Sequence, residues 1–199
     1  KTEIIMWCEM GDEQRQVYNQ VKALYKEKLM NRIQEEGLAA SAIYILEGLT
    51  RLRQVCNAPQ LIGEQSGGIT SSVKLDELMR EIVDNTGTHK VLVFSQFTGM
   101  LQLISQAMDT AGIPFLYLDG STKAETRQEL VKQFQQDDSQ RVFLISLKAG
   151  GVGLTLTAAD YVYLLDPWWN PAVEAQAIDR AHRIGQTRNV IATRLVARG

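Results

Sequence analysis

Apolar residues recur along this chain in two rhythms, and the change from one to the other divides it. Residues 3–9, Glu-Ile-Ile-Met-Trp-Cys-Glu, read as a short strand. From Gly11 to about Glu36, Val17, Val21, Leu24, Leu29 and Ile33 form a stripe among charges, which predicts an amphipathic helix. A second helix is expected over 39–55, ending near Asn57-Ala58-Pro59. Residues 63–72, Gly-Glu-Gln-Ser-Gly-Gly-Ile-Thr-Ser-Ser, read as a linker, which sets the expected boundary between segments 1–72 and 73–199.

Past that point continuous apolar runs alternate with helical patterns. Expected strands are Val91–Phe94, Phe115–Leu118, Val142–Ile145, 161–165 and a final one over Val190–Leu195. Expected helices lie at about 73–86, 98–111 and 122–136, with a last one from Pro171 to Ile184. Uninterrupted apolar strands separated by helices mark a parallel sheet covered on both faces. The fold class is α/β: three layers, plus an N-terminal helical segment.

Composition narrows the function classes only slightly. A chain of 199 residues with 45% hydrophobic and 22% charged residues suits one globular domain with an appendage. A net charge of −2 gives no overall basic field, so any nucleic-acid contact has to be local. Cys8 and Cys56 have neither zinc spacing nor the look of a disulfide scaffold, and reduced thiols are the simpler account. No apolar run reaches the ~18 residues of a membrane span. The first and last residues fall beside strand-like segments, as they would in an excised fragment.

The most informative chemistry lies in Gln176-Ala-Ile-Asp-Arg180-Ala-His-Arg183-Ile-Gly-Gln186. On a helix Gln176, Arg180 and Arg183 share one face. Surface arginines are usually solvated or weakly paired, and short patterns match by chance. The flanks shift the balance. Asn170-Pro171 is a good helix start and Gly185 a good stop, while Val162–Leu165 just upstream reads as a buried strand. The turn after that strand lies at the carboxyl edge of the sheet, where ligands bind in open α/β folds. Two guanidiniums there suit an arginine-finger device that neutralises charge on a departing phosphoryl group.

Asp166-Pro-Trp-Trp-Asn-Pro171, followed by Gln-x-x-Asp-Arg-x-His-Arg-Ile-Gly-Gln, resembles the last helicase motifs of Swi/Snf-type DNA translocases. These belong to the superfamily-two helicase-like ATPases, and the resemblance implies a RecA-like lobe. Ser146–Thr157 resembles helicase motif V, whose glycines let backbone approach a ligand closely. Gly151 and Gly153 would shape that loop, and Lys148 would contact the DNA backbone. Lys148 also stands where many relatives outside the group carry a ribose-binding aspartate, so no ribose role is carried over. Lys90–Thr98 resembles motif IV, with Ser95 and Thr98 hydroxyls at a strand end; helix capping explains Thr98 at least as well. Leu118–Thr122 with Arg127 resembles the adjoining DNA-backbone segment, though Ser121 or Thr122 also suits a helix cap. Trp169, rather than Trp168, is the candidate for contact with DNA or an opposing lobe. His182 has no metal-spaced partners and reads as a hydrogen-bonded structural histidine.

Neither a GxxxxGK[ST] loop nor a DExx pair occurs in these residues. The resemblance therefore implies the second of two lobes, with ATP and Mg2+ held mainly by the N-terminal lobe. Arg180, Arg183 and Gln176 would act on the nucleotide; Ser95, Ser121, Arg127, Lys148 and Trp169 would line the track for double-stranded DNA. Expected partners are that DNA, the N-terminal lobe of the same protein, and a protein–DNA complex as remodelling target, with no membrane. Such a lobe alone is expected to be inactive. A non-catalytic RecA-like binding module and the lobe of a strand-separating helicase remain open readings. The Asp-Pro-Trp-Trp form and compactness resemble bacterial members, implying a bacterial cytoplasm and nucleoid, or a nucleus in a eukaryote. In the full-length enzyme, Arg183→Ala is expected to abolish DNA-stimulated ATP hydrolysis while circular dichroism shows an intact fold; near-normal turnover would remove Arg183 from the catalytic set.

Overall fold

The computed structural model describes residues 1–149, 154–167, 171–183 and 186–199, with Pro171 by its backbone alone. In chain order the elements are β1 (Thr2–Glu9), α1 (Asp12–Glu36), α2 (Ala42–Asn57), a 3-10 segment (Pro59–Ser66) and α3 (Val73–Arg80), which runs into one π turn (Glu81–Asn85). There follow β2 (Lys90–Ser95), α4 (Thr98–Ala111), β3 (Phe115–Leu118), α5 (Ala124–Gln136), β4 (Val142–Ser146), β5 (Ala159–Leu164), α6 (Pro171–Asp179) and β6 (Ile191–Arg198). Two compact units result: Lys1–Trp7 with Asp76–Val196, and Cys8–Leu75 with Ala197–Gly199.

The strand order is β1-β6-β5-β2-β4-β3. β2 lies parallel to β4, with Val91 opposite Val142 and Ser95 opposite Ser146. It is also parallel to β5, which in turn runs parallel to β6. Every residue of β2 and β4 is buried, as continuous apolar runs in a covered sheet require. Alternation sorts the two faces. Leu92 and Phe94 join Phe143, Ile145, Leu116, Leu118, Val162 and Leu164 in one cluster, roofed by Phe134 of α5 and Ala177 and Ile178 of α6. The Phe134 and Phe143 rings stand 5.4 Å apart. Met100, Leu101, Ile104 and Met108 of α4 are buried outside that cluster, and α4 packs on β2 and β4. Helices thus cover both faces of a RecA-like α/β sheet, the expected fold class. After β4 the chain crosses over β2 to form β5, creating a switch point at the carboxyl end of β2.

In the second unit Val17, Val21, Val55 and Ile62 form the core. The buried Gln14 amide donates to the Val55 and Cys56 carbonyls at 2.9 and 3.3 Å and accepts from the Val73 backbone at 3.1 Å. Residues 63–72, expected as a linker, are anchored. The Ser72 hydroxyl donates to the Asn57 carbonyl, and Lys74 reaches the Asn57 side chain at 3.1 Å. Gly67 and Gly68 do serve as turn residues, at φ of 61° and 79°.

Two helix ends differ from expectation. α5 begins at Ala124, not near 122, and its N-cap Lys123 makes no side-chain cap bond. Ser121 and Thr122 instead close a turn with Asp119, so the capping account of both fails. α6 stops at Asp179 rather than running to Ile184. Its Arg180 carbonyl accepts from the Leu156 backbone at 2.8 Å and the Ala181 carbonyl from the Gln186 side chain at 2.9 Å, so neither stays in the helical ladder. The arginines therefore sit just past the helix.

Two measurements test this packing. Phe134→Ala should cost about 3–5 kcal/mol in chemical denaturation, because a fully buried aromatic leaves a cavity. The Tyr117 hydroxyl donates to Asp119 at 2.9 Å, and burial, with that carboxylate, pushes its pKa up to about 12. The folded state then holds a proton that the unfolded chain releases near pH ~10. This contribution is full below that pH and is lost as pH rises through about 12. Over that window wild type should lose more stability than Tyr117→Phe; equal losses would refute the assignment.

Candidate functional site

The carboxyl ends of β2, β3, β4 and β5 gather the residues singled out by sequence. Arg180, directly after α6, is buried at 6% exposure. Among the described residues its guanidinium has neither an ion-pair nor a hydrogen-bond partner. Burial, with the charge of Arg183 adding to it, lowers its pKa from the usual value. It remains a cation at neutral pH, since arginine does not lose its proton in proteins. With Gln176, Ser146 and Ala149 it lines a cavity of about 30 Å³ between α6 and the end of β4. Gln176 is exposed on α6, one turn earlier.

Arg183 is placed differently. It donates to the Asp179 carbonyl at 2.8 Å and to the Thr155 hydroxyl at 3.2 Å. The expected stacking of Gln176, Arg180 and Arg183 on one helical face is not what forms, because α6 ends before either arginine. The two charges are still near enough for Arg183 to perturb Arg180.

The expected DNA track divides into exposed and internal residues. Lys148 is exposed and, among the described residues, its ammonium makes no ion pair. Ser121 is exposed, with its hydroxyl on Asp119 at 2.6 Å. Ser95, expected on the track, is fully buried, and its hydroxyl donates to Asp166. Asp166 also accepts from the Gln96 backbone at 2.8 Å, joining the ends of β2 and β5. Arg127, also expected there, donates from its three guanidinium nitrogens to the carbonyls of Thr122, Asp119 and Ala149. Thr98 is exposed at the first position of α4, whose N-cap is Phe97. His182 is exposed, and no side-chain hydrogen bond to the described residues holds it, contrary to its structural reading. Gly151, Gly153 and Trp169 lie outside the described residues.

Two further residues hold this edge, Asp166 just after β5 and Gln186 after the arginine turn. Gln186 donates to the carbonyls of Thr157, Ala159 and Ala181 at 2.7, 3.0 and 2.9 Å, and accepts from the Arg188 backbone at 3.0 Å. That amide fastens the arginine turn to the segment after the glycine loop. A polar residue closing a conspicuous motif is its signal in the sequence.

The donor set fits a polyphosphate: a desolvated guanidinium, a second guanidinium and an amide, all at a sheet edge. Among the described residues no cluster of histidine, cysteine or carboxylate is arranged to hold a metal.

Comparison with known proteins bears on the family and the fold. The family described as "Helicase conserved C-terminal domain" matches residues 73–185. Protein CHROMATIN REMODELING 24 of Arabidopsis thaliana is 34% identical over 98% of this chain and 21% of its own length. Chromatin-remodeling ATPase INO80 of Aspergillus oryzae is 48% identical over 63% of this chain and 9% of its own length. The chain thus spans a small part of these curated relatives, which are plant and fungal and lend no support to a bacterial source. Among solved structures, the Sulfolobus solfataricus SWI2/SNF2 ATPase core in complex with dsDNA matches at TM-score 0.79 and 32% identity, over 100% of this chain and 41% of that one. The C-terminal part of the Fun30 ATPase domain matches at TM-score 0.78 and 26% identity, over 100% and 85%. With the motifs, the sheet and the matched residues in agreement, this chain belongs to the helicase conserved C-terminal domain family, with the fold of SWI2/SNF2 ATPase C-terminal lobes.

Proposed function

We propose that this chain is the second lobe of an ATP-dependent double-stranded DNA translocase, with 73–199 as the RecA-like lobe and 1–72 as a strand and helical segment with linker. ATP would lie between this lobe and an N-terminal lobe that supplies most of its contacts and those of Mg2+. Arg180 and Arg183 would face the phosphates, with Gln176 orienting the site from α6 and Gly151 and Gly153 shaping the loop beside it. Lys148, Ser121 and Trp169 would contact the DNA, while Ser95 and Arg127 hold the loops that present them. The names of the plant and fungal relatives concern chromatin remodelling, which supports a protein–DNA complex as the target.

The observation carrying this reading is the buried charge of Arg180, which has no ion-pair or hydrogen-bond partner among the described residues. Stranding a cation at a sheet edge costs folding energy, and an anion arriving there would recover it. Opening and closing of two such lobes on ATP would shift one grip on DNA against the other.

The same observation separates catalysis from structure. In the full-length enzyme, Arg180→Met should reduce DNA-stimulated ATP hydrolysis by about 10³–10⁵-fold. Because Arg180 has no ion-pair partner among the described residues to be left behind, its Tm should stay level or rise. A lower Tm with normal turnover would make Arg180 a structural residue. Triplex disruption without strand displacement by the wild type would identify duplex translocation; displacement would identify a strand-separating helicase.

A further inference from the structure

We infer that Arg127 is a positioning residue that locks the DNA-facing turn after β3 to the nucleotide-facing loop after β4. This rests on the two-lobe reading above and assigns a device within it. Arg127 lies on the first turns of α5 and is half-buried. Its Nε donates to the Thr122 carbonyl at 2.9 Å and one terminal nitrogen to the Asp119 carbonyl at 3.3 Å, so two of its bonds close over the Asp119–Thr122 turn. The other terminal nitrogen donates to the carbonyl of Ala149, the last described residue before the glycine loop. One planar fork therefore spans two loops that the sequence separates by more than twenty residues.

The surroundings support a tie rather than a phosphate contact. All three nitrogens are engaged by backbone carbonyls, which hold the plane of the guanidinium in place. The turn is braced independently by Asp119, which accepts from the Ser121 hydroxyl and backbone and from Tyr117. A Cβ added at Gly120 would stand 3.8 Å from the Lys148 carbonyl, so the turn after β3 and the loop after β4 lie one methyl group short of van der Waals contact there. Exposed Ser121 lies on one loop and exposed Lys148 on the other, which makes their separation a property set by Arg127. A displacement of either loop passes to the other through this fork. Lysine keeps the charge but has one nitrogen, which cannot reach three carbonyls in the fork's geometry.

Arg127→Lys in the full-length protein decides the matter. A tie predicts a kcat for ATP hydrolysis at saturating duplex DNA lower by about 10–100-fold. It also predicts an unchanged slope of log DNA affinity against log salt, because no phosphate contact is lost. Lys148→Ala, removing one phosphate contact, should flatten that slope by about 1. Amide hydrogen exchange on the same Arg127→Lys protein should rise together in the segments around 119–122 and 146–149 while the sheet stays protected. Wild-type kcat, or exchange rising in only one loop, overturns the tie, and a flattened slope in Arg127→Ala reinstates a DNA contact. Should the wild type neither hydrolyse ATP nor bind duplex DNA, the two-lobe reading fails, and the paired exchange still reports on the tie.

Discussion

A guanidinium held out of water, with no ion-pair or hydrogen-bond partner among the described residues, is the constraint around which this sheet edge is arranged. Arg180 carries its charge at 6% exposure and feels Arg183 as a second like charge. Such a group stays in place only if the backbone beneath it is held firmly. That hold comes from the early stop of α6, from the Leu156 backbone bound to the Arg180 carbonyl, and from the Gln186 amide drawing three carbonyls together. The interactions are neutral and mostly long-range, and their job is to keep a charge where it is electrostatically unwelcome.

Most of the architecture was legible because it depends on periodicity. α4 and β3 have the expected bounds, and β2 and β4 differ by one residue at the ends. Apolar runs such as Val91–Phe94 bury on both faces, and few other arrangements would cover them. The ends of α5 and α6 were not legible. The start of α5 gives way to a local turn that Asp119 closes with Ser121, and the end of α6 is decided by the long-range bond of the Leu156 backbone to the Arg180 carbonyl. Asn and Gly punctuation around 170–185 suggested a longer helix, and competition for two carbonyls shortened it.

The candidate site divides along the same line. Residue type and spacing located the right loops, and the structure then separated residues that face outward from those that hold the loops. Lys148 and Ser121 are exposed, whereas Ser95 and Arg127 spend their donors inside. Hydroxyls and guanidiniums serve phosphates and carbonyls equally well, so chemistry alone cannot sort them. Burial and partner geometry can.

One consequence concerns the acids at this edge. Asp166 directs one oxygen to Ser95 and the other to the Gln96 backbone, and Asp119 is held below the usual carboxylate range, chiefly by the Ser121 hydroxyl. A free negative group in either place would repel an approaching polyanion. Neutral donors do not cancel that charge; they fix each carboxylate on the strand ends or the turn it braces, and the basic groups Arg180, Arg183 and Lys148 oppose it. A chain that is slightly acidic overall can thereby present an anion-attracting rim without becoming a basic protein.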